Sequence, residues 1–228
     1  MLNLTWDEYR SKIAEADADA DLRDTARLAP RLEVLHHCGD WFDRAASFVH
    51  LNAPERKAIA GAISSNADRT RLLRQYRTNV DFGIFGSMVG SGTFVRCVNE
   101  NRGALALSRA IDAIPRTGTV TSGDYEKFIT EFCEILDFDS PLATSSRLLA
   151  MKRPDMFVCV TSGNRGRLAQ MLGLNLADMN VHSYWDRVIQ PIHASPWRQA
   201  PAPMDNTDQK IWRGRVALLD LVFADFAD

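Results

Sequence analysis

No apolar run in this 228-residue chain approaches the roughly 18 residues a membrane-spanning helix requires, so a membrane span is not expected. Cysteine is scarce. Cys38, Cys97, Cys133 and Cys159 stand far apart among apolar neighbours and lack the paired spacing of a zinc site. They read as reduced, mostly buried thiols of a cytoplasmic protein. The histidines show no ligand spacing either: His36 and His37 adjoin, while His50, His182 and His193 are isolated. Neither a catalytic metal nor a cofactor is expected. Strand signals are almost missing, and the one candidate, 156–160, follows Pro154 and reads as an extended connector. The first 24 residues hold seven acids against three bases, unlike a secretory or mitochondrial targeting segment. A net charge of −2 excludes a protein coated with basic residues, though it leaves room for a local positive face.

What the chain has is helical periodicity and enough apolar residues, 46%, to bury a full core. Apolar residues recur at three- and four-residue intervals in 30–50, where Leu32, Leu35, Trp41, Phe42, Ala45, Phe48 and Val49 share a stripe, and again in 121–136 and 207–226. Start signals agree. Pro54 with Glu55 opens 54–64, Asp68 precedes 69–78, and Thr121 with Asp124 forms a capping-box pattern. The proline-rich stretch 195–205, with Pro196, Pro201 and Pro203, marks a break before the last helix. The expectation is an all-α, monomeric protein of two closely packed helical lobes forming one domain over 1–228. Its parts are an N-terminal helical region 1–80, a central segment 81–194, and the loop with the C-terminal helix at 195–228.

Two stretches concentrate positive charge. Residues 141–170 carry Arg147, Lys152, Arg153, Arg165 and Arg167 against Asp155, and 68–77 carries Arg69, Arg71, Arg74 and Arg77 beside Asp68. Either is compatible with a solvated helix face or with a phosphate-docking surface.

The segment 131–170, EFCEILDFDSPLATSSRLLAMKRPDMFVCVTSGNRGRLAQ, resembles the helix-hairpin-helix DNA glycosylase superfamily, in particular its 8-oxoguanine-glycosylase-like members. The match covers about 81–170. The resemblance implies that 138–140 (Phe138, Asp139, Ser140) forms the hairpin turn, that 143–151 is the second hairpin helix, and that Ser140, Leu142, Thr144, Lys152 and Arg165 lie along the DNA backbone. Asp139 suits a phosphate poorly and equally reads as a helix cap. Leu142 occupies the position of the lysine that bifunctional members use as an amine nucleophile, so a monofunctional enzyme is implied, with water attacking the sugar.

About nineteen residues later, where the superfamily has a catalytic acid, this chain has Thr161. Three explanations stay open: the Asn164 amide orients the water, a carboxylate such as Asp139 or Asp186 reaches the same space, or the domain binds DNA without cutting it. Thr161 or Ser162 would equally serve as an ordinary N-cap for a helix over 163–172.

Upstream, Phe85-Gly86-Ser87-Met88-Val89-Gly90-Ser91-Gly92-Thr93-Phe94 is not a P-loop, since no lysine follows its last glycine. It reads either as close packing through small residues or, by the resemblance, as the segment that enters the minor groove. In the latter case Ser87 and Met88 form the wedge and Ser91 adds a contact. Trp185 and Trp197 are candidate walls of a base pocket, with Trp41, Tyr184 and Trp212 also available. Trp197 is the least core-like because it lies in the proline-rich stretch. A narrower resemblance is to prokaryotic antiviral glycosylases of the Brig type, which implies double-stranded phage DNA as partner and glucosylated hydroxymethylcytosine as target. A host repair glycosylase, a non-catalytic DNA-binding module and a helical protein-interaction domain are the alternatives.

Overall fold

The computed structural model describes residues 1–22, 27–135 and 141–224, with backbone alone at 21–22. Among these residues there is no strand, and thirteen α-helices follow one another. They are α1 (Trp6–Leu22), α2 (Leu28–Arg44), α3 (Ala53–Ile59), α4 (Asn66–Tyr76), α5 (Gly92–Asn99), α6 (Asn101–Asp112), α7 (Ser122–Ile135), α8 (Pro141–Lys152), α9 (Arg165–Leu172), α10 (Gln190–His193), α11 (Pro196–Gln199), α12 (Asn206–Arg213) and α13 (Leu219–Phe223). The chain is all-α, as its periodicity predicts. The expected hairpin turn at 138–140 lies outside the described residues.

Local signals set most of the boundaries. Asn52 and Glu55 cap α3 reciprocally, each side chain accepting from the other's backbone N–H at 3.0 Å, with Pro54 in the first turn. At α7 the Thr121 N–H and hydroxyl both donate to Asp124 at 2.8 Å, and Asp124 N–H donates back to Thr121 Oγ1. The next helix, α4, begins earlier than Asp68 suggests. Ser65 accepts from Asp68 N–H, which makes Ser65 the cap and puts Asp68 inside the first turn. The expected single helix over 207–226 is two, α12 and α13, parted at Gly214. A Cβ there would lie 2.8 Å from Leu35 Cδ1 of α2, so a larger residue would require Leu35 to move.

Tyr125, Phe128, Ile129 and Phe132 form the inner stripe of α7, packed on α6, whose Leu107, Ala110 and Ile111 are buried. Each such large side chain contributes about 1.5–3 kcal/mol when fully buried. Helix α8 is central: every side chain from Thr144 to Lys152 is buried, and the helix packs on α2 and α3. The two ends of the chain meet where α1 lies against α11 and α13.

Trp197, expected to be open, is fully buried in this seam. Its ring stacks on Tyr9 at 4.2 Å between centroids and its Nε1–H donates to the Met1 carbonyl. Pro196 starts the short α11 and turns the tryptophan inward. Trp185 is core as well, set beside Tyr125 and Phe157. Neither ring is positioned to wall an open base pocket.

The connector after Pro154 turns through Met156, whose N–H donates to Arg153 O, and continues over 157–160 as neither helix nor strand. It is pinned by Tyr184, whose hydroxyl donates to the Val158 carbonyl, and by His193 Nε2 at 2.8 Å from the Met156 carbonyl. A carbonyl only accepts, so Nε2 carries the proton and Nδ1 is bare. Burial pushes His193 down from 6.5 to about 4. Between these values the unfolded chain binds the extra proton. The contribution of His193 to stability is therefore complete above pH 6.5 and declines as pH falls toward 4, by up to about 3 kcal/mol. Urea midpoints measured across pH 4–7 are expected to fall less steeply for His193→Gln than for the parent; parallel curves would remove His193 as the cause.

Candidate nucleic-acid interface

Two separately expected segments lie side by side. At Gly86 the backbone takes φ 97°, and a Cβ built there would stand 2.5 Å from Thr161 Cγ2. Glycine is therefore required twice, for its conformation and for the approach of Thr161. Gly61 repeats the device at φ 67°, where a Cβ would lie 2.7 Å from the Gly86 carbonyl oxygen, and Gly61 accepts from Met88 N–H at 2.8 Å. The loop that follows closes on itself through Ser91 N–H to Met88 O and Gly92 N–H to Gly90 O. Its tip faces open space, since a Cβ at Gly90 or Gly92 would meet nothing within 4 Å.

Within this loop Ser87 is exposed and Ser91 half-buried, but Met88 is only 5% exposed. Met88, expected as part of a wedge, instead anchors the loop against the protein. The exposed apolar side chain is Val89, at 42%.

The Thr161 turn is built from behind. Val160 N–H donates to Ser146 Oγ on α8, and the Cys159 thiol donates to the Phe85 carbonyl, which ties the connector to the loop's root. Burial pushes that thiol up to about 12, so it stays protonated. Asn164 is 1% exposed and every polar position of its amide is engaged. Its Oδ1 accepts from Thr161 N–H at 2.9 Å, and its Nδ2 donates to Cys159 O and to Asp220 Oδ1, each at 2.8 Å. The amide expected to orient water faces inward and holds the turn closed. Asn164 stands at the N-cap position of α9, which begins at Arg165, but its side chain makes no capping bond, and neither Thr161 nor Ser162 is the cap.

Asp220 is the residue the sequence reading missed. It is 4% exposed, and its second oxygen accepts from Arg31 Nε and Nη2 at 3.2 and 3.0 Å. Burial raises its pKa, against the opposing pull of Arg31, Asn164 and Arg147. The available signal was a lone acid inside the apolar run Leu218-Leu219-Asp220-Leu221-Val222. Asp186, the other suggested carboxylate, is exposed and accepts from Gln190, with no bond to the Thr161 turn. Asp139 and Ser140 lie outside the described residues.

The basic run 141–170 does not form the expected face. Arg147 is fully buried, with Nε donating to Ile59 O and Nη2 to Ala58 O and Phe82 O. Lys152 is 6% exposed; its ammonium donates to Ile111 O at 2.7 Å and lies 3.7 Å from Asp112, and burial lowers it to about 8. Arg153 grips Asp155 with two nitrogens and reaches the Pro115 and Gly118 carbonyls. Arg165, half-buried, donates to Leu176 O and Met179 O.

The physical reason is common to several of them. Helix C-termini leave carbonyls without partners, and in a buried helical core a cation fills that need. Arg147 serves the end of α3, Lys152 the end of α6, and Arg56, through its Nε to Val98 O, the end of α5. Thr144 is also buried, its hydroxyl turned back to Pro141 O, and Leu142 is 8% exposed. No amine stands at the Leu142 position. Among the described residues no group of three His, Cys, Asp or Glu side chains could hold a metal ion, and no helix is long and apolar enough to cross a membrane.

Arg167 of the run 141–170 is exposed and donates to Ala224 O, and a denser group of exposed cations lies on α4 and at its C-cap. Arg69, Arg71, Arg74 and Arg77 are all exposed. Asp68, buried in the first turn, accepts from Lys57 Nζ at 2.8 Å and Ser65 Oγ at 2.7 Å, and of the four arginines it interacts with Arg71. No family model, curated protein or solved structure matches this chain.

Proposed function

We propose that this chain is a monofunctional DNA glycosylase of the helix-hairpin-helix kind, which flips a modified base of duplex DNA and leaves an abasic site. The observation that carries the reading is the contact of Gly86 with Thr161. It supports the idea that the segment meant to enter the opened stack and the turn meant to attend the base–sugar bond work as one surface, which an enzyme acting on an extruded base needs. In this reading Ser87 and Val89 meet the minor groove, Thr161 lies nearest the sugar, and Asp139 supplies the negative charge that a cation-like sugar requires. Asn164 acts only by positioning the turn. With leucine at 142, water is the nucleophile. The target proposed is a bulky modified cytosine such as glucosylated hydroxymethylcytosine in phage DNA; excision of an alkylated, oxidised or deaminated host base is the same chemistry on another substrate.

The test is single-turnover base release from duplexes carrying each of these bases. Strand breaks are expected only after alkali, borohydride should trap no protein–DNA adduct, and Asp139→Asn should slow release by about a hundredfold or more. A trapped adduct would overturn the monofunctional assignment. A second reading, a DNA-binding module without excision, draws on Asp220: among the described residues it is the one carboxylate bonded to the Thr161 turn's scaffold, and it is buried and paired with Arg31. DNA binding with no release across the whole panel selects that reading.

A further inference from the structure

Helix α4 carries a second surface that the reading above leaves unused. Arg71, Arg74 and Gln75 fall on one side of the helix, since residues three and four apart are neighbours there. With Asn52 and Pro54 from the start of α3 they line an open groove of about 420 Å³. The lining contains no carboxylate. It offers two guanidinium groups and the side-chain amides of Asn52 and Gln75, of which the Asn52 oxygen is already taken by Glu55 N–H. Of the acids on α3 and α4, Glu55 is 2% exposed and pairs with Arg44 and Tyr76, and Asp68 pairs with Lys57 while also interacting with Arg71. Arg69 and Arg77 add exposed charge at either end of the helix.

Like charges at this spacing repel, costing the isolated helix a few tenths of a kcal/mol per pair. Here Asp68 offsets part of the repulsion at Arg71, and the remaining surplus is concentrated at a concave site rich in N–H donors. A guanidinium fork matches a phosphate oxygen pair in geometry and charge. The helix is also close in sequence to the wedge loop. Arg77, in the left-handed conformation at φ 55°, ends α4, and only the short 3₁₀ turn Phe82–Phe85 intervenes before Gly86.

We propose that the groove of Arg71 and Arg74 binds the phosphodiester backbone of the DNA duplex, away from the nucleotide held at the Thr161 turn. The inference rests on the DNA-binding reading. It moves the main electrostatic anchor from the basic run after the hairpin to α4.

The experiment is fluorescence anisotropy with a 25-base-pair duplex across 50–300 mM salt, using the unaltered chain, R71Q/R74Q, and R187Q/R213Q as a control that removes the same charge from exposed positions elsewhere. Each lost phosphate contact lowers the log–log salt slope by about 0.9, so R71Q/R74Q is expected to lose about 1.8 of slope and roughly tenfold in affinity, with the control unchanged. Equal behaviour of R71Q/R74Q and the unaltered chain overturns the inference and leaves the glycosylase reading standing. An equal loss in the control also overturns it, by showing a net-charge effect. If the loss appears in a protein that releases no base, the groove stands and the enzyme reading falls. No DNA binding by the unaltered chain at 50 mM salt overturns both. Poly-L-glutamate competing as effectively as DNA, per charge, would overturn it in favour of an acidic protein partner.

Discussion

Asn164→Ala is expected to lower stability by about 3–5 kcal/mol. The change leaves the Thr161 N–H, the Cys159 carbonyl and one oxygen of Asp220 without the partner that each now has, in a place almost closed to water. For a domain whose total stability is typically about 5–15 kcal/mol, that is a large share. Urea unfolding of the variant provides the measurement. Loss of base release, where observed, should then track the folded fraction rather than appear as a pure loss of rate. Asn164→Asp is expected to be worse near neutral pH, because it places a second carboxylate against Asp220. It should recover as pH falls and one of the pair takes up a proton that the other can accept. An unfolding free energy for Asn164→Ala within about 0.5 kcal/mol of the parent would show that the amide is dispensable and would reopen its assignment as a water-binding group.

Arg147→Ala is expected to be as costly or more so, at about 4–5 kcal/mol or beyond. The guanidinium lies beneath Gly61, with its Cζ 3.5 Å from where a Cβ would stand, and it joins the end of α3 to the turn at Phe82. Removing it takes the side-chain donor from the Ile59 and Phe82 carbonyls, while Ala58 keeps its bond from Gly61 N–H. Arg147→Met should rescue little, since volume is restored but donors are not. Arg147→Lys should recover part. The 86–91 loop, whose root this residue fixes, should become the first site of limited proteolysis in Arg147→Ala. Unchanged unfolding in both Ala and Met variants would show that the three carbonyls are served in another way.

How far the sequence could be read depended on the range of the contacts concerned. Thr121 with Asp124 and the non-helical connector after Pro154 are decided within a few residues and lie where they were expected, whereas Asn52, the cap that pairs with Glu55, was not singled out and α3 ends at Ile59 rather than at 64. Trp197 and Met88 were misplaced because their environments come from far along the chain: Tyr9 and Met1 for one, Gly61 for the other. Lys152 and Arg147 were misread for a different reason. A cation that satisfies helix-terminal carbonyls looks, in a sequence, the same as one that awaits phosphate. Only burial separates them, and burial identified Arg71 and Arg74 as the solvent-facing pair instead. The nearness of Gly86 to Thr161 was not expected, and no local pattern would have given it.

The seam between the chain's two ends has a consequence for biosynthesis. Tyr9 on α1 donates its hydroxyl to the carbonyl of Arg215, 206 residues later, and Arg10 pairs with Asp208. At about 5–20 residues per second, α1 leaves the ribosome roughly 10–40 s before the residues that cover it have been made. Through that interval Tyr9 and Ile13, which end fully buried, have no α11 or α13 to shelter them. The inner side of α1 stays without that cover, and the native seam closes only once α13 has been made.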